Sequence, residues 1–189
     1  TPATSTKYYR CEVTCSGNSQ YSTPVLVAVN PPFPGGNYTI NSGAITGGTN
    51  FQTFNDFKNA LTCGIGGAIV VDVVSGSGPY NEQVEFPAVT GVSSTNTITI
   101  NGNNNTLTFA ASVSTAPGTL ILNGSDYFVI NNLNVTGTGT TYALSCHLWN
   151  GADNNTFNNC TFTAPTGVTG STVCPFSLSG SATSATTTG

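Results

Sequence analysis

Residues 121–135 read ILNGSDYFVINNLNV, and residues 148–162 read LWNGADNNTFNNCTF. The pattern Asn-Gly-small-Asp occurs at 123–126 and returns at 150–153. Asn-Asn followed by an apolar residue occurs at 131–133 and returns at 158–160. The offset is 27 residues, too short for a domain and suited to one coil of a solenoid. The NGN of residues 101–103 stands 22 positions before the NGS of 123–125, which predicts an earlier coil. SLSGSATS, residues 177–184, predicts a further one, 29 positions on. Unequal offsets predict insertions at some turns.

Working outward, the chain is strands and turns from Ala68 onward. Residues 68–74 (AIVVDVV) form a nearly continuous apolar run, as expected for a strand buried in a parallel stack. Ahead of it the sequence predicts one helix, about residues 50–62. Thr49 and Gln52 fit a capping box, Phe51, Phe54, Phe57 and Leu61 share a face, and Gly64 is a stop signal. A short amphipathic helix in this place is expected to plug the end of a solenoid. Residues 31–36, with Pro31-Pro32 and Pro34-Gly35-Gly36, read as a linker. Residues 7–30 read as two alternating strands joined by a Ser-Gly-Asn turn.

Composition sets limits on function. The chain has 189 residues, a net charge of −4 and only 5% charged side chains, against about 25% in ordinary domains. With 38% hydrophobic residues it can bury a core, so its surface must be made of its 32 Thr, 22 Asn, and Ser and Gly. Three basic residues exclude a nucleic-acid footprint. No apolar run approaches the ~20 residues of a membrane helix. The chain begins at Thr1, so any targeting segment is expected to lie upstream or to have been removed. Few charges, no Met and six Cys point to an oxidising, extracellular setting.

Tyr9 stands two residues before Cys11, the spacing of a tyrosine corner. On that basis residues 1–30 resemble the last two strands of an immunoglobulin-like module. Gly78-Pro79-Tyr80-Asn81-Glu82-Gln83-Val84 follows the strand at 69–74. With that segment, residues 37–189 resemble a right-handed parallel β-helix of the pectate-lyase-like superfamily. The combination is similar to large secreted and surface proteins of the Bacteroidota. The resemblance implies an all-β fold with a helix-capped solenoid, and it implies a structural, turn-bonding role for Glu82. It implies no single activity.

The candidate site residues each carry two readings. Asp126 and Asp153 occupy equivalent repeat positions and should stack about 5 Å apart. Paired carboxylates can share a proton or bind Ca²⁺; alternatively each closes its own Asn-Gly-x-Asp turn. The turn reading is favoured, and no cofactor is expected. The Asn pairs, with Asn132 and Asn159, should form an inward amide ladder, since buried amides need partners. His147 and Trp149 are the only His and Trp and share one strand face. An outward face would make them an aromatic platform for a saccharide or a neighbouring subunit; an inward one would put Trp149 in the core, where the repeat aligns it with Leu122. Cys146 and Cys174, 28 positions apart, are placed to bridge neighbouring coils. Cys160 aligns with Leu133 as a buried thiol.

Lyases and esterases of this fold take a proton with, or place charge beside, a basic residue. No Arg or Lys follows Lys58. The expectation is therefore a non-catalytic extracellular structural module, adhesin-like or a subunit of a self-assembling fibre. Residues 176–189 are expected to form an uncapped end that stacks on further coils or on another copy. The alternative is a carbohydrate-binding or polysaccharide-degrading β-helix whose active coils lie elsewhere, with surface glycans as partners.

Overall fold

A computed structural model describes residues 5–168 and 170–184. The chain forms two units, Thr1–Pro32 and Phe33–Gly189. Phe33 bridges to Ile65, and the first solenoid strand begins at Gly36, so the expected linker shrinks to the two prolines.

The first unit is one long hairpin cut into four strands: β1 (Lys7–Tyr9), β2 (Glu12–Cys15), β3 (Asn18–Tyr21) and β4 (Val25–Val27). β2 and β3 join through Ser16 (φ 49°) and Gly17 (φ 85°), the two positive angles that a tight hairpin turn requires. β1 pairs antiparallel with β4. Between the two ladders, Arg10-Cys11 stand opposite Ser22-Thr23-Pro24. The extra residue is a bulge, placed where Pro24 has no amide to give. Tyr8 (72%), Val13 (62%) and Val25 (65%) are exposed, so the hairpin has no core of its own. Among the described residues the Tyr9 hydroxyl has no hydrogen-bond partner, so Tyr9 and Cys11 do not form a closed tyrosine corner.

The second unit is a parallel β-solenoid. Its capping turn holds β5 (Gly36–Ile40), β6 (Asn50–Phe51) and α1 (Phe54–Ala60). The coils follow: β7 (Ile69–Val73), β8 (Tyr80–Asn81) and β9 (Val84–Pro87); β10 (Ile98–Asn101), β11 (Thr106–Phe109) and β12 (Gly118–Asn123); β13 (Phe128–Asn131), β14 (Asn134–Gly137) and β15 (Ala143–Trp149); β16 (Thr156–Asn158), β17 (Thr161–Thr163) and β18 (Val173–Leu178). Corresponding strands stack into one six-stranded and two four-stranded sheets, ordered β16-β13-β10-β7-β5-β6, β17-β14-β11-β8 and β18-β15-β12-β9.

Register puts like on like. Val71, Ile100, Ile130 and Phe157 form one inward row. Tyr80, Leu107, Val135 and Phe162 form a second, and Val84, Leu120, Cys146 and Phe176 a third. The core members of these rows are almost fully buried until the last coil. A slip of one residue would turn every apolar side chain outward, so burial of these rows holds the register.

The helix is shorter than the sequence suggests. Asn50 and Phe51 are strand, and the N-cap is Thr53, whose hydroxyl accepts from the Asp56 amide at 3.0 Å. Thr49 precedes the strand and caps nothing. Phe51, Phe54, Phe57 and Leu61 are buried as expected, with Phe57 meeting Phe86 and Phe54 meeting Tyr80 edge to face. The chain leaves the helix at Gly64 (φ 78°).

The Asn pairs divide their work. Asn132 and Asn159 both take φ 50°, the left-handed conformation that turns the chain from the first sheet into the second. The expected ladder runs through their neighbours, Asn131 and Asn158, and on the outer face. The reason is geometric: a residue at the corner points away from the stacking direction, whereas the strand residue before it has register partners. Asn132→Gly should change unfolding free energy by less than about 1 kcal/mol, because glycine adopts this angle freely. Asn132→Val should cost at least about 1–2 kcal/mol. Urea denaturation of both variants measures the difference.

Candidate functional site

The polar chemistry of the solenoid lies in bonds between coils. Asn158 Nδ2 donates to Asn131 Oδ1 (2.8 Å), Asn131 Nδ2 to Asn101 Oδ1 (2.9 Å), and Asn101 Nδ2 to Asp72 Oδ1 (2.8 Å). A second file runs from Asn150 to Asn123 (2.9 Å) and on to Glu85 (2.7 Å). Each file ends on a carboxylate, which can only accept, so every amide above it must point its nitrogen the same way. Sequence reasoning missed Asp72, Glu85, Asn101 and Asn123 as ladder members. For the first file the signal was present, its rungs lying 27, 29 and 30 positions apart, the coil length itself; Glu85 lies 38 positions before Asn123, a spacing that follows no repeat.

Glu82 lies on the first coil and reaches the capping turn. Its carboxylate accepts from the Phe54 and Asn55 amides at 2.9 and 3.0 Å and from Asn55 Nδ2 at 2.7 Å. It satisfies the first orphan donors of α1, while Thr53 takes the third. Gln83 beside it holds the Ala116 carbonyl at 2.9 Å and also the Gly118 carbonyl.

Asp126 and Asp153 do come together, with a chemistry different from the expected one. Asp126 Oδ1 accepts from the Asp153 backbone amide across the coil at 2.7 Å, and neither carboxylate closes its own turn. The Asp153 carboxylate makes no hydrogen bond among the described residues. No group of three His, Cys, Asp or Glu side chains there is arranged to hold a metal ion.

His147 and Trp149 share the outer face of β15 and differ in burial. Within β12 and β15 the register is Leu122 with Leu148 and Asn123 with Trp149, one residue off the repeat alignment. Leu148 therefore takes the core place, and Trp149 sits outside, half-buried. His147 is on that outer side yet fully buried. Its Nε2 lies 2.9 Å from the Ser179 hydroxyl. Ser179 has one hydrogen and lies 2.9 Å from the Ser181 carbonyl and 2.8 Å from that of Ser184, so it donates there and His147 Nε2 donates to it. Nδ1 is left an acceptor with no donor, and the buried hydroxyl of Ser177, its register neighbour, is also without a partner. Burial pushes the imidazole below its ordinary value, against smaller opposing effects of the Ser181 carbonyl and Glu85.

A surface groove of about 280 Å³ runs between Trp149, Gly151 and Asp153 on one side and Leu178 and Ser179 on the other. It gathers two of the expected binding residues. Asp126 reaches it through the Asp153 amide, and His147 through Ser179. An indole face beside a free carboxylate can stack on the apolar face of a sugar ring and accept from its hydroxyls. A second groove, about 340 Å³, is lined by Lys58, Leu61, Glu85 and Pro87. Its Glu85 is already engaged with Asn123.

All six cysteines are free. Cys174 stands in register with Leu144, while Cys146 stands in register with Phe176, so the expected Cys146–Cys174 bridge does not form. The strand register, two residues away from that pairing, keeps the thiols apart. Cys146 is fully buried and its thiol is pushed well above the ordinary value by desolvation; Cys160, part-buried, is raised for the same reason.

The chain matches no known protein-family model, no curated protein and no solved structure.

Because the folded imidazole binds protons less readily than the unfolded one, stability from His147 is fully present above about pH 6.5. It is lost as pH falls below that value, at up to about 1.4 kcal/mol per unit until the folded group itself titrates. Denaturation midpoints between pH 5 and 7 should fall with acidification in the native protein and stay flat in His147→Leu; parallel slopes would assign the effect elsewhere. Thiol titration with an aromatic disulfide should find exposed Cys11, Cys15 and Cys63 fast, and Cys146 silent until denaturant is added.

Proposed function

We propose that the chain is a non-catalytic structural module of an extracellular or cell-surface protein. In this reading the solenoid is a rigid body that assembles with further copies, as an adhesin stalk or fibre subunit does. The observation that carries it is the use made of the carboxylates. Asp72 and Glu85 anchor the amide ladders, Glu82 caps α1, Asp126 holds the next coil, Asp56 bonds Thr46, and Glu12 bonds Tyr21 in the hairpin. Among the described residues only the Asp153 carboxylate is left over, and the one solenoid cation, Lys58, lines a different groove. Acid–base chemistry needs two groups poised about one substrate, and the described residues commit theirs to the fold.

The finer kinship proposed is with right-handed β-helices of pectate-lyase type, as borne by large surface proteins of the Bacteroidota. The Gly-x-Tyr-x-Glu-x-Val segment supports it. The open hairpin supports descent from an immunoglobulin-like module whose other strands come from elsewhere. A second reading, glycan binding, is favoured by the Trp149–Asp153 groove.

Incubation with neutral and acidic polysaccharides separates these readings. The structural reading expects no new reducing ends, no unsaturated products and no retention on a glycan array. Retention that Trp149→Ala abolishes would establish the second reading in its place. Release of sugar would overturn both.

A further inference from the structure

The chain holds three Asn-Gly pairs: Asn101-Gly102, Asn123-Gly124 and Asn150-Gly151. Such a pair carries a reaction within itself. The backbone nitrogen of the glycine can close on the side-chain carbonyl carbon of the asparagine, because glycine brings no side chain to block the five-membered ring. Closure needs three local conditions. The glycine N–H must be free to give up its proton, the glycine must have room to swing, and the pair must lie where a short segment can open alone.

The fold withholds these conditions from two of the pairs. Gly102 is buried, and its N–H donates to the Asn131 carbonyl at 2.7 Å. A Cβ there would stand 2.7 Å from the Asn132 carbonyl oxygen, so the backbone beside it is closed in. Gly124 is half-buried and donates to the Trp149 carbonyl at 3.0 Å; a Cβ there would stand 3.1 Å from the Asn150 carbonyl oxygen. Gly151 differs on every count. It is exposed, its N–H has no acceptor among the described residues, and nothing lies within 4 Å of the place a Cβ would take. Asn150 is exposed as well, and its side chain is held by one hydrogen bond, to Asn123.

We propose that Asn150 is a site of spontaneous deamidation, and that its conversion breaks the amide file running from Asn150 to Glu85. The Gly151 nitrogen, having given up its proton, attacks Cγ of Asn150. The new N–C bond forms, the Cγ–Nδ2 bond breaks, and Nδ2 leaves with that proton as ammonia, so that a succinimide ring remains. Water opens the ring at either carbonyl and leaves aspartate or isoaspartate at position 150. No oxidant or reductant takes part. Either product exchanges a donor for a carboxylate. Asn123 Oδ1 then faces an acceptor, and Asn123 cannot turn its amide round without leaving Glu85. The carboxylate at the foot of the file leaves it no second arrangement. The product also sets a new carboxylate between Trp149 and Gly151, on the rim of the groove that holds Asp153.

Incubation of the 189-residue chain in mildly alkaline buffer, followed by peptide mapping with mass spectrometry, compares the three pairs in one sample. In the native protein, conversion at Asn150 is expected to run at least about tenfold ahead of Asn101 and Asn123, whose glycine bonds must open first. In denaturant the three rates should converge, since the pairs are then chemically alike. Aged native protein should also accept a methyl group at residue 150 from an isoaspartyl methyltransferase. Native conversion at Asn101 or Asn123 that keeps pace with Asn150 would overturn the site. So would a native chain in which Asn150 stays intact while the denatured chain converts. Asn150→Asp tests the consequence, because Asp also tolerates the left-handed angle found there, φ 57°. Its urea midpoint should fall below that of the native protein; an unchanged midpoint would overturn the breaking of the file.

Discussion

The whole solenoid depends on vertical registration. A coil has no core by itself; its inward row is buried only when the next coil lays a matching row on it. The backbone supplies the parallel ladder, but parallel pairing alone tolerates slippage. Two features remove that freedom. Apolar rows such as Val71–Ile100–Ile130 would turn to water if a strand slipped by one. The amide files, Asn158 to Asp72 and Asn150 to Glu85, would lose partners if it slipped by two.

This explains how a surface so poor in charge stays ordered. The few carboxylates sit at boundaries, where a row of like groups must begin. Asp72 and Glu85 begin ladders, and Glu82 bridges the first coil to the helix that closes the stack. Above Asp153 the rows go on without ions, and the polar bonds are those of Asn, Ser and Thr. A buried polar side chain without a partner is rare, and the two that occur among the described residues, His147 Nδ1 and Ser177 Oγ, are neighbours.

Much of the architecture was legible because a solenoid writes its period into the sequence. The repeat at 123–126 and 150–153 gave the coil, and the run at 69–73 gave a buried strand. What misled was the assumption of one constant period. Between β12 and β15 the spacing is a residue shorter than the repeat alignment, which moved Trp149 out of the core and put Leu148 into it. Between β15 and β18 it is longer, which separated Cys146 from Cys174. Spacing inside a coil is set by loop length at the corners, where insertions cost little, so the period of one sheet does not transfer to the next. The capping helix was placed correctly by its phenylalanines and wrongly by its cap. Thr49 and Thr53 are both threonines before aromatic residues, and only the pairing of β5 with β6 decides between them. Asp126 was legible as a turn-associated residue, but not that its partner lies one coil away, since sequence shows neighbours along the chain and not across it.

The bond from Glu82 to α1 also orders events in time. Helix residues 54 and 55 leave a ribosome 28 and 27 positions before the side chain that satisfies their amides. A seven-residue helix cannot hold itself together in water. The lid of this stack therefore sets only after the first coil has come round beneath it. From then on each coil is laid on a finished surface, and the structure is built in the direction of synthesis, with the latest coil always the one most open to the next contact.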